Sequence, residues 1–238
     1  TKNIKPMLTD QFAMGYFHNF NNNEIKVSAE TYYKILNGAA DFEDGLHNYL
    51  VDNLEAYVAT GKGLSYGFEM SIEKPNGRLN GRLSYNYGKS DYKIDVINQG
   101  RWYPYRFDKT HSLTMLSNFQ ITKNVSVAST FIYSTGRPVT LPEGYYHISG
   151  IPFPYWEGRN KYRLPDYHRL DFGIKYSPTL LKRWTRGYKT TIDVALYNVY
   201  DRRNIHTINF IEGEDRLFEQ IGQSTYGFMP SININLEF

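Results

Sequence analysis

The chain has no cysteine among its 238 residues. Disulfides, thiolate metal sites and cysteine nucleophiles are therefore excluded. Long apolar runs are missing too. No stretch approaches the ~18 consecutive apolar residues of a membrane helix, and mean hydropathy is −0.55. Net charge is small, with 27 Lys and Arg against 24 Asp and Glu. The net charge of +3 comes without any Lys/Arg run, so the electrostatic footprint of a nucleic-acid partner is absent. The opening Thr1-Lys2-Asn3-Ile4-Lys5 leads into no apolar core and does not read as a signal peptide.

Aromatic residues are plentiful instead, at 16% with 22 Tyr and 14 Phe. Tyrosine suits a membrane interface because its ring is apolar and its hydroxyl wants water. In Tyr226–Phe238 the even positions (Tyr226, Phe228, Pro230, Ile232, Ile234, Leu236, Phe238) are apolar. The odd ones are mostly polar, among them Ser231, Asn233, Asn235 and Glu237. Side chains alternate faces along a strand, and roughly 9–11 tilted residues cross a bilayer. The segment thus fits the closing strand of an outer-membrane barrel or an amphipathic strand of a soluble sandwich. A barrel tolerates low mean hydropathy because only every second residue meets lipid.

Nine stretches alternate in this way: about 8–19, 24–36, 64–73, 78–90, 110–120, 125–134, 168–176, 188–199 and the last. The fifth is less regular, since Leu116 falls on its polar face. Short turns, 21–23, 74–77 and 122–124, alternate with long connections at about 37–63, 91–109, 135–167 and 200–225. The link 177–187 is intermediate. Asn-rich and Pro-Asn-Gly text supplies the dihedrals of tight turns. Long loops at one end and short turns at the other favour a membrane barrel, with the loops outside and the C-terminus in the periplasm. The expected fold class is all-β, an antiparallel transmembrane β-barrel segment of about nine strands. Single-chain bacterial barrels have an even number of strands, and an open edge in lipid costs several kcal/mol per unsatisfied group. Further strands are therefore expected to complete this wall, and an export signal is expected upstream.

Several segments, in order, resemble the C-terminal part of TonB-dependent outer-membrane transporters. They are Tyr66–Asp91 (YGFEMSIEKPNGRLNGRLSYNYGKSD), Phe107–Leu113 (FDKTHSL), Tyr133–Tyr146 (YSTGRPVTLPEGYY), Gly158–Tyr176 (GRNKYRLPDYHRLDFGIKY), Leu196–Asn204 (LYNVYDRRN) and the terminal Phe238. That family pairs a 22-stranded barrel with a plugged lumen. The resemblance implies import of a scarce, bulky nutrient (siderophore-iron, haem, cobalamin or glycan) and energy coupling through TonB. It also implies assembly that reads the final aromatic residue. The whole chain, 1–238, is expected to be barrel wall, with plug and TonB box absent from it. Expected partners are outer-membrane lipids, the remaining strands, a plug, the TonB complex through that plug, and a possible surface lipoprotein. A passive channel assembled with other chains is the alternative. No cofactor is expected.

Candidate ligand contacts lie in two long connections: Arg101, Trp102, Tyr103, Tyr105 and Arg106 in one, and Tyr145, Tyr146, Tyr155, Trp156, Arg159 and Arg163 in the other. Aromatic faces with guanidinium groups suit large ligands through stacking and bidentate hydrogen bonds. The competing reading is that these residues tie the loops together. Lys26, Glu30, Glu69, Glu73, Arg78, Arg82, Asp171, Lys175 and Asp193 are expected to face the lumen. Hydrolase chemistry is not expected: His168 and Asp171 fall on opposite faces, as do His111 and Ser112. Asp41, Glu43 and Asp44, with His47, lack the EF-hand spacing and read as a solvated acidic turn. Leu180–Trp184 reads as an interfacial anchor.

Overall fold

The computed structural model describes residues 4–44, 53–149, 151–178, 189–212 and 218–237. In chain order the strands are β1 (Leu8–Phe20), β2 (Ile25–Phe42), β3 (Val58–Lys74), β4 (Leu79–Lys93), β5 (Tyr103–Pro104), β6 (His111–Thr122), β7 (Val125–Ser134) and β8 (Pro138–Val139). They continue as β9 (Gly144–Ile148), β10 (Ile151–Tyr155), β11 (Tyr162–Arg163), β12 (Tyr167–Tyr176), β13 (Lys189–Tyr197), β14 (Ile205–Glu212), β15 (Phe218–Ser224) and β16 (Met229–Glu237). Nine of them form one wall in the order β1-β2-β3-β4-β6-β7-β12-β13-β16, and β5 pairs with β4. Every neighbour in the wall is antiparallel. All nine alternating stretches are strands. Phe238, His47 and Leu180–Trp184 lie outside the described residues.

The turn ends match the sequence chemistry. Asn21, Asn22 and Asn23 all have positive φ, at 47°, 52° and 72°, and Gly77 has φ 102°. The loop ends depart from the expectation. The connection expected over 37–63 is mostly a continued hairpin, because β2 runs to Phe42 and β3 begins at Val58. Gly38, at φ +82°, occupies a bulge where the register slips between Asn37 and Ala39. A bulged residue reverses the alternation beyond it, so the period ends at Leu36 while the strand goes on. The other long connections also hold small ladders: β8 with β11, β9 with β10, and β14 with β15.

Register separates two faces. One row crosses six strands as Leu79–Phe119–Val127–Ile174–Val194–Ile232. On the opposite face a row reads Lys26–Glu73–Arg82–Leu116–Thr130–Asp171, and Leu116 is its apolar exception, as the sequence indicates. Lys26 and Glu73 approach to 3.9 Å, and Asn86 donates to Glu69 at 2.9 Å. Among the described residues the apolar rows have no cover. Phe12, Met14, Ile232 and Ile234 are 67, 75, 69 and 66% exposed. A core does exist, but it sits at the loop end of the polar face and holds Ala39, Tyr92, Ile94, Ile97 and Tyr103. Leu36, Gly63, Tyr92 and Tyr103 form one cross-strand row there. A Cβ on Gly63 would approach the Tyr92 ring to 3.0 Å, so glycine makes room for the ring. Among the described residues the connections pack at the loop end of the polar side and leave the apolar rows bare, a layout that suits a wall facing hydrocarbon.

Ile234 stands opposite Ile192 on the apolar face, and Asn233 opposite Asp193 on the other. Ile234→Lys should therefore cost about 2–4 kcal/mol if it lies near the bilayer midplane, and Asn233→Lys much less. Heat-modifiable gel mobility of outer-membrane fractions would show strong loss of assembled protein for the first variant only. Equal loss would contradict the assignment of faces.

Candidate functional site

At the loop end three connections are locked together by one arginine. Arg159 pairs with Asp41 at 3.0 Å and with Asp44 at 3.1 Å, and its backbone N–H donates to Asn98 Oδ1 at 3.1 Å. The Asn98 N–H donates to Asp44 Oδ2 at 2.8 Å. The β2–β3 hairpin, the β4–β6 connection and the β7–β12 connection meet at this point. Next along the chain, buried Asn160 donates to the Pro104 carbonyl at 2.8 Å, and its N–H donates to Thr140 Oγ1 at 2.9 Å. Arg163 then ion-pairs with Asp108 and donates to the Gly136 carbonyl at 2.9 Å. The Asp108 carboxylate is 1% exposed and also accepts the Ser90 N–H at 2.8 Å. A carboxylate out of water needs such a full set of partners.

A second network holds the rim of β12 and β13. Asn198 is fully buried. It donates to the carbonyls of Arg202 at 2.9 Å and Tyr226 at 3.2 Å and accepts the Arg202 N–H at 3.2 Å. Its own N–H donates to Asp171 at 2.9 Å. Asp171 pairs with Arg169, whose guanidinium lies 4.2 Å over the Tyr197 ring. Asn204 accepts from His168 N–H at 3.1 Å and returns a bond to the His168 carbonyl at 3.0 Å. His168 Nδ1 meets Tyr200 Oη at 2.8 Å. His168 and Asp171 thus serve different partners, as their opposite faces require. Among the described residues there is no cluster able to hold a metal.

Electrostatics at this end reflect structure. The Tyr133 hydroxyl donates to Asp166 at 2.7 Å and is the chief cause that holds that carboxyl below its usual range, with the Gly136 N–H adding to it. Burial, followed by the charge of Asp41, pushes the Tyr103 hydroxyl upward, and that hydroxyl donates to Asp41 at 3.2 Å. Glu143, 2.6 Å from Lys161, is held low chiefly by its hydrogen bond to that ammonium.

The eleven candidate contacts fall into three groups. Tyr103 is 1% exposed, Tyr105 stacks on Tyr92 at 4.6 Å, and Arg159 and Arg163 are spent on carboxylates. These four tie the loops together, and Tyr103 and Arg159 also line the cleft beside Arg101 and Trp102. Arg101 and Trp102 open onto a cleft of about 310 Å³, lined also by Glu157 and Lys161. Arg106 lies 4.7 Å over the Phe107 ring and lines a separate cleft with Arg137, Thr140 and Ile208. Tyr145, Tyr146, Tyr155 and Trp156 belong to the β9–β10 hairpin and its exit, where Tyr146 stacks on Phe153 at 5.8 Å. Tyr146, Tyr155 and Trp156 are 51, 52 and 44% exposed. Of the acidic turn, Asp41 is shielded by Arg159, its side chain 10% exposed, while Asp44 binds the same guanidinium and stays half exposed.

No family model matches the chain, and no curated protein does. Solved structures do. The ferripyoverdine receptor of the Pseudomonas aeruginosa outer membrane, bound to ferripyoverdine, superposes with TM-score 0.62 at 15% identity over 98% of this chain and 28% of its own. The ferric-catecholate import receptor Fiu of E. coli gives 0.61 at 15% identity, over 100% of this chain and 29% of its own. The siderophore receptor PiuA of Acinetobacter baumannii gives 0.60 at 13%, over 95% and 28%. The fold is that of a barrel fragment of a TonB-dependent outer-membrane receptor. The chain spans less than a third of the length of these receptors.

Within this wall, the residues missed by sequence reasoning are mostly asparagines. Asn98, Asn160 and Asn198 have positive φ, at 52°, 53° and 53°. Asparagine tolerates that conformation and can bond to nearby backbone, so a lone Asn beside a strand end was the available signal. Asn198→Ala would strand buried backbone groups at about 1–3 kcal/mol each. Limited proteolysis should then cut within 198–226 much faster while the wall stays intact. Unchanged protection would show that the network is dispensable.

Proposed function

We propose that the chain is wall, throughout 1–238, of a plugged outer-membrane importer. Further strands, the plug and the TonB-coupling segment would be supplied outside these residues. The observation that carries this reading is the pairing of uncovered apolar rows on one face with loops fastened over the other. Such a wall has a lipid side and a protected side, and its loops stand where a ligand would enter. It needs no enzyme chemistry.

The substrate class tested first is a ferric siderophore, since the receptors of similar fold named above bind or import iron chelates. Siderophore-iron, haem, cobalamin and glycan are all bulky solutes that a plugged barrel can take up. Arg101, Trp102 and Arg106, with Tyr145, Tyr146, Tyr155 and Trp156, are the contacts retained for it. Guanidinium groups grip anionic oxygens and aromatic faces stack on flat ligand surfaces.

A deletion strain grown on a panel of ferric siderophores, haem, cobalamin and oligosaccharides should lose uptake of one of them. Replacing Trp102, Arg106, Tyr146 and Tyr155 by alanine should lower that uptake about tenfold or more, with assembly unchanged, because buried aromatic and Arg contacts dominate such interfaces. Uptake that survives a collapsed proton-motive force would instead indicate a passive channel. Full uptake by the fourfold variant would mean that these side chains only pack.

A further inference from the structure

The apolar face of β3 and β4 changes character near the loop end. On β3, Phe68, Tyr66 and Leu64 are followed on the same face by Lys62. On β4, Tyr85 and Tyr87 are followed by Lys89, Asp91 and Lys93. Neighbouring strands continue the ring-bearing band: Tyr33 stands opposite Tyr66, and His111 opposite Tyr87. Tyr85 Oη and His111 Nδ1 lie 2.8 Å apart. Amphipathic rings of this kind settle at headgroup level. The lysines one step beyond them therefore stand at the height of the headgroups, outside the wall and away from the lumen.

The arrangement of these lysines is unfavourable by itself. Lys62 and Lys93 are direct cross-strand partners, and like charges so placed repel. Lys89 lies on the same face, opposite Tyr66. The basic groups of the loop clamp, Arg159, Lys161 and Arg163, all have carboxylate partners. Among the described residues, Lys62 and Lys93 have no ion pair, and Lys89 is attracted to Asp91 without a close contact. Asp91 is the one carboxylate set among them on this face, and three ammonium groups exceed it. Lys62 and Lys93 are exposed.

We propose that Lys62, Lys89 and Lys93 bind the phosphate groups of a phosphate-bearing lipid in the outer leaflet. A phosphate between Lys62 and Lys93 replaces repulsion with charge-assisted hydrogen bonds. The lysine stems lie along apolar wall while their heads reach the interface, and the uncovered rows below receive acyl chains. The site rests on the membrane reading and is independent of what the barrel imports.

The test uses the intact protein extracted from outer membranes in mild detergent, with lipid retained per protein read by native mass spectrometry and phosphate assay. Lys62→Gln/Lys89→Gln/Lys93→Gln should reduce retained phosphorylated lipid about tenfold or more, with unchanged heat-modifiable mobility. Lys26→Gln, on the polar face, should retain as much as the native protein. If the triple variant fails to assemble, Lys62→Gln and Lys93→Gln singly should each give a partial loss. Equal retention by the lysine variants, equal retention of enzymatically dephosphorylated lipid, or displacement by inorganic phosphate at matched concentration would each overturn the lipid assignment. Recovery of the protein outside the outer membrane would overturn the compartment itself.

Discussion

The structure depends on one constraint: a backbone amide in hydrocarbon must find a protein partner, because no water is there to supply one. A sheet meets that demand only between neighbours. This chain meets it through eight consecutive antiparallel ladders, each strand bonded to the next wall strand in sequence. The same rule reaches side chains. Ser117 and Ser129 fall on the apolar face, directly opposite one another, and their hydroxyls bond to each other at 2.8 Å. Two polar groups facing lipid are thereby satisfied without water. Within the described residues the outer sides of β1 and β16 have no neighbour, and that open pairing is the physical ground for placing more strands beside them.

Water returns at the loop end, and the bonding changes in kind. Ladders give way to side chains that hold backbone: Asn98, Asn160, Asn198 and Asn204 each bond to main-chain groups. Arg159 and Arg163 then fasten one connection to another through carboxylates. A planar guanidinium with its fixed fork of donors suits this task better than a lysine. The basic and aromatic composition of these loops therefore has two uses, and burial separates them. Side chains with buried carboxylate or ring partners build the platform, and the more exposed ones are those proposed above as ligand contacts.

The wall was legible because period-two alternation survives wherever one face meets lipid and the other does not. All nine strands followed from it, and β7 matched to the residue. Legibility failed where the cause of alternation ended. Past Gly38 a bulge reverses the faces of β2, and beyond the membrane neither face must be apolar, so the upper thirds of β2 and β3 read as loop. The burial of the candidate contacts was less legible. Composition marked connections rich in rings and guanidinium groups but could not tell buried Tyr103 from exposed Trp102, neighbours of similar chemistry. Strand pairing decides between them, since Tyr103 stands opposite Tyr92 in the core while Trp102 lies outside that ladder. Nothing in residue type shows that Arg159 faces Asp41 and Asp44, more than a hundred positions away in the chain.

The split between platform and tips also bears on movement. Segments that must yield during transport are drawn from the weakly fastened end of the stability range. The β9–β10 hairpin is stacked through Tyr146 and Phe153 and then runs into the Lys161 ion pairs with Glu143 and Glu157. Exposed ion pairs of this sort contribute little and weaken with salt. Arg137 reaches the β14–β15 hairpin through the His206 carbonyl at 2.7 Å. The Arg159 and Arg163 clamps are more buried and involve more partners. In the importer proposed above, a ligand would meet aromatic tips fastened by exposed ion pairs on a more firmly bonded base.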